Sequence, residues 1–169
     1  MAERVSKLEK AGAVTPSLLD RLLDEAPRVK SEVPLKPAET RASLLLSLRR
    51  DLENLLNTRT VAEDLPEELA EVRRSVYSYG LPDITEISAN YLHDPQSLAH
   101  AIEEAVSFFE PRLKSATVAV LPTPGASRVL RLVIEGMLQV DPAPERVVFD
   151  GSLELVSGEY QIMGESNAR

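Results

Sequence analysis

Leucine spacing predicts the first long helix of the chain. From Arg41 to Asn57, leucines recur at intervals of three and four residues, which places them on one face of an α-helix. The stripe is formed by Leu45, Leu48, Leu52 and Leu55, and widened by Leu44 and Leu56. We expect the polar positions to face solvent, namely Arg49, Arg50, Asp51, Glu53 and Asn54. The repeat is too short for a coiled coil, so it predicts a core helix of a globular domain that begins near Glu39.

A second helix is predicted from Asp94 to Phe109. Asp94 is a good N-cap and Pro95 suits the first helical position. The apolar face contains Leu98, Ile102, Ala105 and Phe109. The helix should end by Phe109 or Glu110, because Pro111 disfavours helical geometry in the residue before it.

The segment between these helices, residues 58–93, has a less regular pattern. A short helix is predicted from Leu65 to Val72, and a turn from Tyr79 to Asp83 in which Gly80 can adopt a positive φ.

The hydrophobic pattern changes from helical to strand-like after Arg112. Strands are predicted at 116–121 and 127–140, and a continuous or broken strand over 146–156. Gly136 interrupts the alternation and indicates a bulge. Ser157 and Gly158 form a two-residue turn into a closing strand at 159–163. Helices followed by a strand meander define an α+β fold, in which N-terminal helices pack on a small, mainly antiparallel sheet in the C-terminal half.

Residues 1–38 are predicted to form an N-terminal arm. An amphipathic helix at 16–26 is capped by Thr15, and a Pro-rich linker containing Pro34 and Pro37 follows it. Its apolar side chains are Leu18, Leu19, Leu22 and Leu23. A helix of this length is marginal alone, so these leucines must dock, either on the rest of the chain or on a partner. Residues 39–164 then form a single α+β domain, and 165–169 a disordered tail.

Composition excludes several classes of function. The 169 residues include 27 acidic and 19 basic side chains, a formal charge of −8, which argues against binding to nucleic acid or to an anionic membrane surface. The absence of cysteine excludes disulfides and thiolate chemistry. No secretory signal or membrane-spanning run is apparent, so we expect a cytoplasmic protein.

Catalytic signatures are missing from the sequence. His93 and His100 have no acidic cluster at metal-ligand spacing around them, and neither a GxSxG elbow nor a phosphate-binding glycine loop occurs. The adjacent acids Glu67/Glu68 and Glu103/Glu104 diverge on their predicted helices and are expected to be solvated. We therefore expect no catalytic, cofactor-binding or metal-binding residue and no cofactor.

The segment Glu110-Pro111-Arg112 is the strongest local candidate for a site. Glu110 lies at a helix C-terminus, where the helix dipole disfavours an anion. Arg112 can reach the last helical carbonyls or a neighbouring carboxylate. Two interpretations remain open: a helix stop capped by an arginine, or a rigid charged corner that docks on a partner.

Three segments together resemble a known family. They are LRRDLENLLNTR at 48–59, SVYSYGLPD at 75–83 and FEPRL at 109–113. In this order the sequence resembles the TssE family, the wedge subunits of type VI secretion baseplates, and more broadly the lysozyme-like wedge proteins of contractile phage tails. It departs from the family at Tyr77 and Ser78, where Leu and Asn are more usual.

The resemblance implies an α+β fold and a structural role without peptidoglycan hydrolysis. One copy per wedge would join the helical core bundle to the contractile sheath and prime sheath assembly. The implied partners are wedge subunits of the TssF, TssG and TssK type and sheath proteins of the TssB and TssC type, with no nucleic acid and no membrane insertion. The family's Glu-Pro-Arg motif, here Glu110, Pro111 and Arg112, is implicated in contact with the core bundle.

An open strand meander also offers an edge to which another chain can add a strand. We predict that a terminal strand, at 114–121 or within 146–163, is left unprotected for this purpose. The alternatives are a lysozyme-like enzyme that degrades peptidoglycan, a regulatory adaptor that sequesters a proteolysis factor, and a wedge protein of a related phage-derived machine.

Overall fold

The structure is a computed structural model that describes residues 28, 37–60, 66, 68–82, 95–123, 126–140 and 143–165. Its helices are α1 (Pro37–Asn57), α2 (Ala70–Arg73) and α3 (Pro95–Phe109), with a 3₁₀ turn at Val76–Ser78. Its strands are β1 (Leu113–Thr123), β2 (Ala126–Leu138), β3 (Glu145–Glu154) and β4 (Glu159–Glu165). The predicted arm helix with Leu18, Leu19, Leu22 and Leu23, together with His93 and Asp94, lies outside the described residues.

Helix α1 confirms the prediction made from the leucine stripe. The buried positions on it include Leu44, Leu48, Leu52, Leu55 and Leu56, while Leu45 is half-buried at the margin. The helix begins at Pro37, which the sequence pattern assigned to the linker. Proline suits a first helical position because the amide that it lacks would have no intrahelical partner there.

Helix α3 ends at Phe109, as Pro111 predicted. Leu98, Ile102 and Ala105 are buried, and Phe109 packs half-buried at the edge of the core. The short helix between the two long ones is smaller than expected. It begins at Ala70 instead of Leu65, after a turn in which the Leu69 amide donates to the Pro66 carbonyl over 3.1 Å.

The four strands form an antiparallel meander in the order β1-β2-β3-β4, so β1 and β4 are the two edges. One face of this sheet packs against α1 and α3, and the core lies between them. Its sheet side contains Leu132, Ile134, Leu138, Val147, Phe149, Leu153, Tyr160 and Ile162. The α+β fold expected from the sequence is confirmed.

The irregularity marked by Gly136 is a bulge in the opposite strand. Lys114 pairs with Met137 and Thr117 with Glu135, so Ser115 and Ala116 together face Gly136. Ser115 takes a φ of 51° to accommodate the extra residue.

Strand β3 runs without a break from Glu145 to Glu154, with a register shift against β4 between Asp150 and Gly151. The reversal into β4 spans residues 155–158 and is longer than the predicted two-residue turn. The Gly158 amide closes it by donating to the Glu154 carbonyl over 2.8 Å, with a φ of 71° at Gly158. A four-residue reversal results because this hydrogen bond encloses a full helical turn.

The turn around Gly80 holds the intervening segment against the end of α1. Arg59 and Leu81 form an isolated parallel bridge, and Gly80 has a φ of 114°. A Cβ at Gly80 would lie 2.4 Å from the Thr58 carbonyl oxygen. Glycine is therefore required at this close approach of two backbone segments.

Candidate functional site: an ionic cluster at the end of α3

The chain makes a rigid elbow where α3 ends and β1 begins. The Glu110 amide still donates to the Val106 carbonyl over 2.9 Å, and the Leu113 amide donates to the Glu110 carbonyl over 3.1 Å. Pro111 lies exposed at the outside of this bend. The elbow fixes the backbone on both sides of Pro111, and so fixes where Glu110 and Arg112 point.

The Glu110 side chain folds inward and is held by Arg112. Arg112 Nε donates to Glu110 Oε1 over 2.7 Å, and its Nη2 donates to Glu110 Oε2. The Arg112 amide also donates to Oε1, over 3.1 Å. Glu110 is only 4% exposed, so this carboxylate is compensated by three donors from one residue at a helix end that would otherwise disfavour it.

The same guanidinium connects the elbow to α1. Arg112 Nη1 donates to Ser47 Oγ over 2.9 Å, and Nη2 donates to Asp51 Oδ2 over 2.6 Å. The other Asp51 oxygen accepts from Arg50 Nη2 over 2.9 Å. Ser47 and Asp51 are one helical turn apart on α1, so they form a two-point receptor for a single planar donor.

Tyr79 completes this group, which we call the Arg112 cluster: Ser47, Asp51, Tyr79, Glu110 and Arg112. Its ring packs edge-to-face against Phe109 with centroids 5.2 Å apart. Burial raises the pKa of the Tyr79 phenol, and the negative charges of Asp51 and Glu110 raise it further. The hydrogen bond to Glu110 is the largest effect that raises the pKa of Arg112 above its usual value, so Arg112 stays charged.

The segment Glu110-Pro111-Arg112 was interpreted either as a helix stop capped by an arginine or as a charged corner that docks on a partner. Arg112 bonds carboxylates and a hydroxyl, in the manner of an internal brace between α1 and the end of α3. Pro111 is exposed, and the Arg112 side chain keeps 22% of its surface accessible. Contact of these residues with a partner remains a prediction, and Pro111 and Arg112 are the parts of the motif that solvent reaches.

Sequence reasoning missed Ser47, Asp51 and Tyr79. Asp51 was assigned to the solvent side of α1, yet its side chain is 26% exposed because it pairs with Arg112. A signal was present, since Ser47 and Asp51 directly precede the core positions Leu48 and Leu52. Polar residues at such a margin tend to find a partner, but the sequence does not say which one.

The arrangement is suited to holding elements together. Both Glu110 oxygens accept hydrogen bonds from Arg112, which holds this buried carboxylate in place. Within the described ranges, no group of three or more His, Asp or Glu side chains is placed to hold a metal ion. His100 is an exposed partner of Glu103 at 3.2 Å.

Two helix side chains contact the outer edges of the sheet. Asn57, at the end of α1, pairs with the backbone of Tyr160 in β4: its Nδ2 donates to the Tyr160 carbonyl over 2.8 Å, and its Oδ1 accepts from the Tyr160 amide over 2.9 Å. Glu103 of α3 accepts from the Val118 amide in β1 over 2.8 Å. The adjacent acids Glu103 and Glu104 therefore differ: Glu103 is bonded to the sheet, contrary to the expectation that both are simply solvated.

The helices, the antiparallel sheet and the internally paired cluster define a small α+β domain. A family profile described as baseplate wedge protein gp25 matches residues 42–143, more than half of the chain, and covers every residue of the Arg112 cluster. The chain belongs to this baseplate wedge protein family, whose members are structural components of phage-like contractile baseplates.

The other comparisons add nothing to this assignment. No curated protein and no solved structure gave a significant match. None of the helices in the described part of the chain has the length and apolar character needed to cross a membrane.

Proposed function

We propose that the chain is a structural baseplate subunit of a type VI secretion machine, which joins the helical core bundle of the wedge to the contractile sheath and primes sheath assembly. It acts in the cytoplasm and catalyses no reaction. The match to the wedge family over residues 42–143 carries this proposal.

The Arg112 cluster provides the contact with the core bundle in this proposal. Pro111 projects from the elbow and Arg112 remains partly accessible beside it, so these two residues meet the partner. Glu110, which is buried, acts by fixing the guanidinium from behind. The arm leucines Leu18, Leu19, Leu22 and Leu23 provide a second, tethered contact.

Co-expression with wedge and sheath proteins from the same organism tests the proposal directly. We expect the tagged chain to retain both types of partner. Glu110→Ala and Arg112→Ala should lose the core bundle, because either change removes hydrogen bonds that position residues 110–112. A chain that retains neither partner would refute the assignment.

A surface variant separates docking from folding. Pro111→Asp places a charge at the exposed tip without removing a cluster hydrogen bond, and it should abolish retention of the core bundle while the melting temperature stays unchanged. Pro144→Asp is the matched control, since Pro144 is also an exposed proline and leads into β3. Equal retention by the two variants would exclude the elbow as the docking point.

The same purified protein distinguishes a structural subunit from a lysozyme-like enzyme. On a peptidoglycan zymogram we expect no clearing. Clearing that a single Glu substitution abolishes would show catalysis instead.

A further inference from the structure

Aromatic side chains gather in a row beside the elbow at the end of α3. The Tyr79 ring meets Phe109, and Phe108 continues the row with its ring centroid 6.3 Å from that of Phe109. At the far end, Arg74 Cζ lies 5.8 Å from the centroid of the Phe108 ring. The chain contains only three Phe and four Tyr residues, so this row is a large share of its aromatic side chains. The row ties both ends of the segment 74–79 to the end of α3.

The 3₁₀ turn Val76–Ser78, which lies between these two ends, presents apolar side chains to solvent. Val76 is 88% exposed and Tyr77 is 55% exposed, and no other large apolar side chain of the described residues is as exposed as Val76. Since consecutive Cα atoms are about 3.8 Å apart, the backbone of both residues lies within about 11 Å of Tyr79. Val76 and Tyr77 therefore lie beside the elbow.

Two serines fix the backbone that carries these exposed side chains. Ser75 Oγ accepts from the Tyr77 amide over 3.2 Å and donates to the Val72 carbonyl over 2.7 Å. Ser78 Oγ donates to the same carbonyl over 3.3 Å. A turn held in this way loses little conformational entropy when a partner covers it, so the burial of its apolar surface contributes more fully to binding.

The exposed side chains form a group, and their shape indicates the shape of the partner. A single exposed apolar residue is common on protein surfaces. Val76 and Tyr77 are adjacent, however, and Phe108 near them is half-buried without packing against the hydrophobic core. An exposed fraction of 88% means that Val76 projects from the surface, so a partner that covers it must be concave. A groove between two packed helices has that shape.

The arginines at the two ends of the aromatic row differ in their ion pairs. Arg112 is neutralised within the chain by Glu110 and Asp51. Arg74 is exposed, and among the described residues it contacts the Phe108 ring and not a carboxylate. A guanidinium on an aromatic face can still donate hydrogen bonds to a carboxylate of a partner. Arg74 therefore favours an acidic side chain beside the groove.

We infer that the core bundle makes a further contact beside the elbow: Val76 and Tyr77 enter an apolar groove between two of its helices, and an acidic side chain at the rim of that groove pairs with Arg74. This inference rests on the proposed function, in which the core bundle docks at Pro111 and Arg112. It adds the apolar anchor that those two residues do not supply.

A charge at Val76 tests the apolar anchor in the full chain co-expressed with the wedge proteins. The hydrogen bonds of the turn do not involve the Val76 side chain, so Val76→Asp should leave the melting temperature unchanged. Val156→Asp is the matched control, since Val156 is 64% exposed and lies in the reversal between β3 and β4. We expect Val76→Asp to lower retention of the core bundle at least about tenfold and Val156→Asp to change it less than about twofold.

The outcomes separate this inference from the proposed function. Equal retention of the core bundle by Val76→Asp and Val156→Asp would overturn the inference and leave the proposed function standing. An unsubstituted chain that does not retain the core bundle would refute both.

Photocrosslinking identifies the contact directly. Benzoylphenylalanine in place of Tyr77 should give an adduct with a protein of the core bundle, and benzoylphenylalanine in place of Val156 should give none. Absence of an adduct from position 77, while the bundle is retained, would also overturn the inference.

Charge reversal tests the acidic side chain at the rim of the groove. Arg74→Glu and Arg128→Glu change the net charge equally and both arginines are exposed, but only Arg74 lies at the aromatic row. We expect Arg74→Glu to lower retention of the core bundle at least about tenfold, through like-charge repulsion, and Arg128→Glu to change it less than about twofold. Arg74→Lys keeps the charge and should retain more of the bundle than Arg74→Glu. Equal effects of the two reversals would contradict the pairing of Arg74 with the partner.

Discussion

Arg112 Nη2 donates to Asp51 Oδ2 over 2.6 Å, although 61 residues separate the two positions. This bond and the one to Ser47 are the polar connection between α1 and the elbow that begins the sheet. The leucine core also holds these elements together, but apolar contacts do not favour one orientation of the side chains over another. The guanidinium adds a geometric requirement. Its planar donors can bond to Ser47, Asp51 and Glu110 together only when these three residues keep one relative placement.

Removal of the Glu110 carboxylate should destabilise the domain strongly. Glu110→Ala leaves a half-buried guanidinium without its main counter-charge, and we expect the free energy of unfolding to fall by about 3–5 kcal/mol. Urea denaturation of the purified variant measures this. Arg146→Ala is the control: it breaks the exposed Arg146–Glu135 pair and should have a much smaller effect. Equal losses would mean that the cluster is no stronger than a surface ion pair.

Tyr79 should make stability depend on alkaline pH. Its phenol pKa is raised in the folded protein above 10.0, the value for an unperturbed tyrosine. The folded state therefore holds this proton more tightly than the unfolded chain does, which contributes stability that is fully present below pH 10 and is lost as the pH rises through the folded pKa.

The measurement compares unfolding free energies between pH 9 and pH 11 in the unsubstituted chain and in Tyr79→Phe. We expect a shallower decline in Tyr79→Phe, because the proton linkage is gone. Tyr77→Phe is a matched control at an exposed tyrosine of the same segment and should keep the original slope. Identical slopes in all three proteins would contradict a partly buried phenol beside Asp51 and Glu110.

The helices and the positions of the strands along the chain could be predicted because each depends on a local pattern, whereas the order of the strands in the sheet could not. The leucine repeat of α1 shows which face of that helix is buried. Pro95 and Pro111 show where α3 begins and ends. The partners of Arg112 could not be predicted in this way. Whether a guanidinium meets a helical carbonyl, Glu110 or Asp51 depends on how α1 lies across α3, which no local spacing encodes.

The strand that carries the bulge could not be predicted from local sequence either. Gly136 marked the correct level of the sheet, but the extra residue belongs to β1, where Ser115 and Ala116 gave no compositional sign of it. The sequence likewise predicted a solvated Glu103 and no contact for Asn57. Their contacts with β4 and β1 follow only from the folded arrangement of helices on the sheet.

Loss of the two hydrogen bonds between Asn57 and the Tyr160 backbone should destabilise β4 specifically. Asn57→Asp keeps an acceptor for the Tyr160 amide but sets a carboxylate oxygen against the Tyr160 carbonyl, in place of the donor that now lies 2.8 Å away. We expect a loss of about 1–3 kcal/mol and faster exchange of the Tyr160 amide. Asn54→Asp, an exposed asparagine one turn earlier on α1, is the control and should change neither quantity. Unchanged exchange protection of the Tyr160 amide in Asn57→Asp would show that the Asn57 side chain does not stabilise β4.

Gly136 should tolerate no side chain, for a reason that a second substitution can isolate. A Cβ at this position would lie 2.7 Å from Leu113 Cδ1 and 2.8 Å from Leu113 Cγ. Leu113 is buried beneath the bulge, so it has little room to move, and we expect Gly136→Ala to cost about 1–3 kcal/mol.

If the conflict is with the Leu113 side chain, shortening that side chain should relieve it. Leu113→Ala removes both Cγ and Cδ1 and should destabilise the protein on its own. The double variant should nevertheless lose less stability than the two single variants added together, a coupling of at least about 0.5 kcal/mol in a double-mutant cycle. The Lys114 carbonyl oxygen lies 3.2 Å from the same Cβ position and belongs to the bulged backbone, so relief should be partial. Simple additivity would assign the cost of Gly136→Ala to the backbone of the bulge and not to the packing of Leu113.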